Sequence, residues 1–344
     1  MIYLVVGIFI MLFAYIEILK YNKWFSNLFL IFFSIIMILF VGLRDGCTVG
    51  TDSPAYCFNY IAGFWSTEFG YEFLNTFFSK VLHADYTIFL LFINSLSLIL
   101  IARFIKLNSY FYLFPLLIYF SDFFLYYNFS GIRQAIALSF TCVSLYYAIN
   151  LNYKKFFFLI ICASLFHITA IVFALAIFIP RNSLKLKDYV KFIMLSVLAF
   201  LGIGFLIENV EYLNKKFIFY SEIQEVESNI YVAYTVGLLK RFIVIFLVLI
   251  FRKSFFNDDR FVYFFNLYLL GFIIYVSTYL ISADFGVRFG SYYLVLDTIL
   301  VGNMLYLSKK LHQKIFITAV YSIVVIYKIY TYTGLESYQY KFIF

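Results

Sequence analysis

The chain has 344 residues, of which 65% are hydrophobic, 24% aromatic and only 13% charged. Roughly a quarter of the residues of a soluble globular protein are charged, so this composition excludes that class and indicates a polytopic membrane protein. In a soluble protein the net charge of +8 would suggest a nucleic-acid partner. Here the positive-inside rule accounts for it as loop charge that sets the orientation in the membrane, and we expect no nucleic acid.

A membrane-spanning helix needs about 20 apolar residues, which gives the chain room for roughly ten or eleven spans and no separate soluble domain. The sequence has three prolines and no internal repeat that would mark a domain boundary. We therefore predict an all-α polytopic integral membrane protein that forms a single transmembrane helical domain over residues 1–344.

The first part of the chain alternates apolar runs with short loops. Basic residues follow the first, third and fifth runs, which places those ends in the cytoplasm. The long stretch between the second and third runs is mainly acidic and is predicted to lie outside. The predicted spans are 2–19, 28–43, 86–102, 110–127 and 132–149.

The next apolar segment, 156–179, has basic residues on both sides, with Lys154 and Lys155 before it and Arg181 and Lys185 after it. A single crossing would place most basic loop residues of the second half of the chain outside, against the positive-inside rule. We therefore predict a re-entrant or broken helical hairpin with its bend near 166–169. Irregular backbone at membrane depth must be satisfied by protein or water, so the bend should line a cavity.

The remaining apolar runs complete the bundle and place both termini outside. An acidic outer loop is predicted at 208–229 and a short outer loop at 282–290. The spans are 190–207, 231–251, 261–281, 291–307 and 315–331.

Polar residues in or beside a span are the informative ones, because hydrocarbon does not solvate them. The stretch 43–56 places Arg44 and Asp52 among Gly46 and Gly50 at the outer end of the second span. Glycine lets backbone amides approach a ligand, and an arginine fork binds phosphate oxygens bidentately. An ordinary polar turn capped by an aspartate is the alternative.

Two further signals lie in the middle of the chain. Arg133 and Gln134 occupy the first turn of the fifth span, where a helix N-terminus favours an anion. Snorkelling of Arg133 to the interface would explain it equally. His167 lies at the proposed bend, either as a chemical group or as a hydrogen-bonded contact between helices.

The second half of the chain adds two pairs of charged residues. Lys240 and Arg241 lie about ten residues into a predicted span, so either that span starts late or these cations line a cavity and meet an anionic lipid or pyrophosphate headgroup. Asp284 and Arg288 lie four residues apart in the predicted outer loop and could simply form an ion pair.

The outer loops contain no DxD or DD pair for a metal-bound phosphate, and the chain has no zinc-binding HxxxH pair and no P-loop. We therefore expect no metal and no cofactor. Cys47 and Cys57 share an outer loop and could form a disulfide in an oxidising compartment.

Three stretches, taken in order, resemble the EpsG family of bacterial polysaccharide polymerases, relatives of the Wzy-type O-antigen and capsule polymerases. The first is Arg44 followed by VGTD at 49–52. The second is the IRQ-A-A helix start at 132–137, and the third is the A-x-LFH-x-[ST]A segment at 163–170. Their order makes the likeness more specific than any one motif.

The resemblance implies a metal-independent, C-type membrane glycosyltransferase of the bacterial cytoplasmic (inner) membrane. It would join undecaprenyl pyrophosphate-linked oligosaccharide repeat units at a site facing the periplasm or cell exterior, for O-antigen, capsule or exopolysaccharide. Membrane lipid, a chain-length regulator and a flippase are the expected partners. A lipid-linked oligosaccharide flippase or transporter, and an O-antigen ligase-type glycosyltransferase, are the alternatives.

In this interpretation fixed cations stabilise the leaving pyrophosphate, and a base accepts the proton of the attacking sugar hydroxyl. Outer tyrosines could stack on sugar rings or form an interfacial belt. The catalytic candidates are His167, Asp52 and Arg133; the substrate-binding candidates are Arg44, Gln134, Arg288, Lys240 and Arg241; the tyrosines are Tyr126, Tyr127, Tyr292 and Tyr293.

Overall fold

The computed structural model describes residues 1–63, 68–185, 230–280 and 282–343, with scattered positions between 187 and 209. Every regular element in these ranges is a helix. The α-helices are α1 (Ile2–Leu19), α2 (Lys23–Gly42), α3 (Ser53–Ala62), α4 (Phe69–Thr76), α5 (Tyr86–Asn108), α6 (Leu113–Tyr119), α7 (Ile132–Ile149), α8 (Tyr153–Phe166), α9 (Ile230–Ile250), α10 (Arg252–Phe255), α11 (Asp259–Thr278), α12 (Ala283–Leu294), α13 (Leu296–Leu307) and α14 (Leu311–Thr333).

Within the described residues, seven helices are long and apolar enough to cross a membrane, namely α1, α2, α5, α7, α9, α11 and α14. This confirms the all-α polytopic membrane fold. Helices α4 and α6 continue as the π-helical segments Phe77–Val81 and Phe120–Asn128. The predicted span 190–207 and the outer loop 208–229 lie outside the residues that the structure describes as continuous segments.

The stretch between α2 and α5, predicted to lie outside, holds two short helices, α3 and α4. Two elements predicted further along the chain are wrong. The segment 282–290, predicted as a loop, is helical from Ala283, because the Ser282 side chain caps α12 by accepting from the amide of Phe285. The predicted span 291–307 is interrupted at Val295, where α12 gives way to α13.

The packing of the helices groups the chain into two compact units. The first comprises residues 1–174 and 298–344, and the second comprises residues 175–297. In the first unit α7 packs between α5 and α8, while α1 packs on α6 and α14. Such a grouping is no test of independent folding, so the single domain predicted from the sequence stays a prediction.

Segment 156–179 is a broken helix, as predicted. Helix α8 ends at Phe166, His167 is extended with φ −156° and ψ 114°, and a 3-10 helix follows over Ile168–Phe178. If the two arms ran in one direction, Phe156 and Phe173 would lie about 28 Å apart along the axis. Their ring centroids are instead 6.3 Å apart. The chain therefore reverses at His167, which confirms the helical hairpin.

Several connections of the first unit meet at one end, which we call the loop end. It comprises the loop 43–52, helices α3 and α4, the turn 129–131, the bend at His167 and the C-terminal tail 335–343. An aromatic layer with Tyr56, Tyr71 and Phe89 underlies it. Cys47 and Cys57 form a disulfide that ties the loop to α3. The loop end thus brings together chain segments that are far apart in sequence.

Candidate functional site

Arg44 lies inside the loop end and is only 1% exposed. Its Nε donates to the carbonyl of Val49 at 3.0 Å, its Nη2 to that of Phe129 at 2.8 Å, and its Nη1 to that of Val41. Burial lowers the pKa of this guanidinium. Because Arg44 offers almost no surface to a ligand, its contacts are those of a clamp that holds the loop.

The VGTD sequence forms the loop that Arg44 clamps. The Gly50 amide donates to the carbonyl of Ser337 at 2.7 Å, and the Thr51 amide donates to the Ser130 hydroxyl at 2.8 Å. Gly50 has φ +112°, and a Cβ there would collide with the carbonyl of Phe129. The glycine is therefore needed to seat the loop on the turn that leads into α7.

Arg133, in the first turn of α7, lies against two polar groups of the loop end. Its Nε donates to the Tyr56 hydroxyl at 3.0 Å, and its Nη1 forms an ion pair with the Glu68 carboxylate. The guanidinium carbon is 5.5 Å from the centre of the Tyr56 ring. The side chain is 27% exposed, and Nη2 makes no hydrogen bond within the described chain. Arg133 therefore has N–H groups left for an anion.

His167 shares the same carboxylate. Its Nδ1 lies 3.0 Å from Oε1 of Glu68, and the residue is 8% exposed. An ionised carboxylate can only accept a hydrogen bond, so a neutral imidazole in this position donates from Nδ1 and has its lone pair on Nε2. Nε2 is buried and has no hydrogen-bond partner among the described residues. Glu68 therefore fixes the orientation of the imidazole, with Nε2 in the protein interior.

The position of Glu68 is set by the packing of α4 on α8. A Cβ on Gly70 would lie 3.0 Å from the carbonyl oxygen of Leu165, so a glycine allows the two backbones to approach. Tyr71 adds an edge-on contact with Tyr56, the ring centroids being 5.6 Å apart. Sequence reasoning counted Glu68 only as an acidic outer residue and missed this role.

Asp52 and Gln134 belong to the same unit but lie differently. Asp52 is exposed at the N-terminus of α3, one turn before Tyr56. Burial raises the pKa of Tyr56, Arg133 lowers it and Asp52 raises it, so the Asp52 charge acts on the phenol that Arg133 contacts. Gln134 is buried beside Arg133 on α7. The roles of both residues stay predictions.

In the second unit, Lys240 and Arg241 lie near the middle of α9. The helix begins at Ile230, and both explanations of these cations, a membrane span that starts late and contact with an anionic headgroup, stay predictions. The Lys240 Nζ is 3.7 Å from Oδ2 of Asp297. Arg241 donates from Nη1 to the carbonyl of Gly237 at 2.7 Å, and its guanidinium carbon is 3.5 Å from the Tyr275 ring centre. The two cations therefore lie within a helix that is long and apolar enough to cross a membrane.

Arg288 forms the ion pair that the sequence offered as the alternative. Its Nη2 is 2.8 Å from Oδ2 of Asp284, one turn earlier on α12. The side chain is 30% exposed. Contact of Arg288 with a substrate stays a prediction.

The outer tyrosines mostly fill the protein interior. Tyr127, Tyr292 and Tyr293 are at most 1% exposed, so neither sugar stacking nor an interfacial belt describes them. Their rings pack among neighbouring helices, where burial of aromatic surface is most favourable. Tyr126, at 36% exposure, is the one of the four that faces outward.

Within the described ranges, no group of three or more His, Cys, Asp or Glu side chains is placed to hold a metal ion. At the loop end, Glu68 contacts both His167 and Arg133.

Comparison with known proteins supports one family. The model of the EpsG family matches residues 27–342, which include both units and every candidate residue named above. No curated protein and no solved structure matches the chain.

Proposed function

The chain belongs to the EpsG family, and from this premise we propose that it joins undecaprenyl pyrophosphate-linked oligosaccharide repeat units at the outer face of the bacterial cytoplasmic membrane. Membership gives a multi-pass membrane protein with a polysaccharide polymerase-like, glycosyltransferase-like role. The proposal adds the lipid carrier, the outer face and the residues that act.

The arrangement of Arg133, Glu68 and His167 is the observation that carries it. In the transfer, a sugar hydroxyl of one unit attacks the anomeric carbon of another, and the bond from that carbon to the pyrophosphate oxygen breaks. Negative charge then grows on the pyrophosphate. The Nη2 group of Arg133, which makes no hydrogen bond in the part of the chain that the structure describes, can donate to its oxygens while Nε and Nη1 stay on Tyr56 and Glu68.

His167 takes the proton of the attacking hydroxyl in this scheme. Nε2 accepts it, and the imidazolium that results is stabilised by the Glu68 carboxylate 3.0 Å from Nδ1. Asp52 is the other candidate base, but its carboxylate is exposed at the start of α3. The oriented, buried imidazole fits the task better.

Arg44 and the basic residues of the second unit have other roles in the proposal. Arg44 holds the loop and the start of α7 in place, and so acts through Arg133. Lys240, Arg241 and Arg288 are kept for contacts with the lipid-linked substrate. Since Arg133 meets the leaving charge, we expect transfer to continue in the presence of EDTA.

Two observations support the outer placement of the loop end. The stretch between α2 and α5 is mainly acidic, as expected of an extracytoplasmic loop. The Cys47–Cys57 disulfide is typical of an oxidising compartment. A flippase and a chain-length regulator are the partners such a polymerase would use.

A transporter of the same lipid-linked sugars is the second candidate. The position of Lys240 and Arg241 near the middle of α9 favours it, because transporters bind substrates near the bilayer midplane. An O-antigen ligase-type transferase would use the same arginines with a different acceptor.

Complementation of a strain lacking the gene tests the proposal. Arg133→Ala and His167→Ala should each be present in membranes by blot, yet reduce the polysaccharide ladder on a silver-stained gel to single repeat units. Lys154→Ala, on the opposite side of the hairpin from the bend, is the matched control. Long polymer in both variants would refute the site, and loss of single surface units in the null strain would favour the transporter.

A further inference from the structure

The C-terminal tail, residues 335–343, packs into the loop end beside the loop that follows α2. The carbonyl of Ser337 accepts from the Gly50 amide at 2.7 Å, and the carbonyl of Lys341 accepts from the Asp45 amide at 2.8 Å. These bonds join the backbone of the tail to the backbone of the loop. The tail therefore lies next to the candidate site, although no residue in it was predicted from the sequence to take part.

Tyr338 is the buried residue of this tail. It is 3% exposed, whereas the other tail residues are partly or well exposed. Its ring stacks on that of Phe129, with centroids 6.2 Å apart, and its carbonyl accepts from the Tyr3 hydroxyl at 2.8 Å. The ring and the main chain of Tyr338 are thus held by two different segments, so its hydroxyl has a defined position.

The hydroxyl of Tyr338 forms a hydrogen bond of 2.8 Å with that of Ser130. Ser130 Oγ also accepts from the Thr51 amide at 2.8 Å and lies 3.3 Å from the Thr51 hydroxyl. A serine hydroxyl offers one donor and two acceptor sites, and these three contacts match that capacity. Ser130 is 4% exposed, so one buried oxygen atom joins the tail to the VGTD loop.

Ser130 also leads directly into the helix that carries Arg133. It lies in the turn 129–131, three positions before Arg133, and the next residue, Gly131, is the N-cap of α7. The carbonyl of Gly131 accepts from the Ala135 amide at 2.9 Å, which makes the turn continuous with the first turn of α7. A shift of Ser130 would therefore move the backbone of Arg133 as well.

We propose that Tyr338 is a positioning residue for Arg133 and acts through Ser130. This inference rests on the proposed function, in which Arg133 stabilises the leaving pyrophosphate. Glu68 and Tyr56 hold the guanidinium end of the Arg133 side chain, and the bond from Tyr338 to the turn holds its backbone end. A displacement of about 1 Å in a group that meets the reacting atoms can slow a reaction about 10²-fold.

The initial rate of polymerisation by the purified full-length protein, with lipid-linked units from the null strain, tests the inference. Tyr338→Phe keeps the ring that stacks on Phe129 and removes the hydroxyl. We expect kcat to fall about three- to tenfold, the size typical of one lost hydrogen bond. KM should stay within about twofold, because Arg133 acts as charge develops in the transition state.

Tyr340→Phe is the matched control. It makes the same chemical change two positions along the same tail, where the Tyr340 hydroxyl donates to the carbonyl of Phe40 near the end of α2 at 2.8 Å. This bond does not involve the turn before α7. The variant should therefore keep kcat within about twofold of the wild type.

A double variant separates positioning from a general loss of structure. If Tyr338 acts through Arg133, adding Tyr338→Phe to Arg133→Ala should slow the reaction no further. An equal loss of kcat in both backgrounds, or a normal kcat in Tyr338→Phe alone, would overturn the inference and leave the proposed function intact. A wild-type rate in Arg133→Ala would refute the proposed role of Arg133, and the inference with it.

Hydrogen exchange in phosphatidylcholine nanodiscs tests the contact without any activity. Peptides that cover Thr51 and residues 129–135 should exchange several-fold faster in Tyr338→Phe than in the wild type, because the bond that holds the turn is lost. In Tyr340→Phe these peptides should exchange at the wild-type rate. Equal exchange in Tyr338→Phe and the wild type would overturn the inference, and this result does not depend on polymer formation.

Discussion

Two arginines at the loop end show how the same side chain takes different roles in adjacent regions. Arg44 is 1% exposed and donates to three backbone carbonyls, whereas the side chain of Arg133 is 27% exposed and meets a carboxylate and a phenol. Both were predicted from the sequence to contact pyrophosphate. Their different surroundings indicate different roles.

The difference follows from what each guanidinium leaves unused. Backbone carbonyls accept from the donors of Arg44 inside the protein, so the residue holds backbone segments together. Arg133 contacts Glu68 and Tyr56, and within the described residues its Nη2 makes no hydrogen bond. A fixed cation with spare donors beside an oriented imidazole is what stabilisation of a leaving phosphate requires.

The largest expected effect is that of replacing Arg44, which should lower the amount of protein in the membrane. Arg44→Ala leaves the buried Val41 carbonyl without this donor, and leaves the carbonyls of Val49 and Phe129 with the Ser53 hydroxyl alone. At about 1–3 kcal/mol for a buried group that loses its partner, we expect less protein in the membrane by blot. Arg44→Lys should not rescue it, because an ammonium cannot reproduce the planar fork. Normal levels with lost polymer would instead make Arg44 a substrate contact.

Arg133 should behave in the opposite way. Arg133→Ala should leave membrane levels near normal and reduce polymer formation by about 10²–10³, the usual loss when one charge-stabilising donor is removed. Arg133→Lys keeps the charge and should give a shortened ladder. If Arg44→Lys and Arg133→Lys changed the membrane level and the polymer ladder equally, the two arginines would not have different roles.

Tyr56 offers a finer test of how Arg133 is held. Tyr56→Phe removes the hydroxyl that accepts from Nε and keeps the ring, so we expect a decrease in polymerisation rate of about two- to tenfold. Because burial raises the pKa of Tyr56, the phenol stays neutral. The ratio of the wild-type rate to the Tyr56→Phe rate should therefore not change between pH 6 and 8. A ratio that rises with pH would contradict this role.

The smallest expected effect on activity concerns the disulfide. The double change of Cys47 and Cys57 to Ser should lower thermal stability of the purified protein and leave activity at growth temperature within a few-fold. In intact cells, an impermeant maleimide should label these cysteines only after reduction. Labelling without reduction would place thiols, not a disulfide, in the loop.

Much of the fold could be predicted because it depends on composition along the chain. Spans α1 and α7 begin and end at the predicted residues, and loop charge alone required the reversal at His167. The loop predicted at 282–290 was wrong although Ser282 is a good capping residue, because hydropathy was given more weight than capping.

The candidate site could be predicted only in part. Arg133 and His167 stood out as polar residues in apolar surroundings, but Glu68, which joins them, is 99 positions from His167 and resembles any acidic loop residue. Arg44 and Arg133 both lie near glycines at span ends, and no local pattern tells a clamp from a ligand. Such contacts depend on the tertiary packing of α4 on α8.

The central claim is that Glu68 and His167 act as one unit in proton transfer. The measurement is the initial rate of polymerisation by purified protein, using lipid-linked units extracted from the null strain, for the wild type, Glu68→Gln, His167→Ala and the double variant. Each single change should slow the reaction by about 10²-fold or more, and the double variant should be no slower than the slower single variant. Losses that multiply, or a His167→Ala variant of normal rate, would contradict the account.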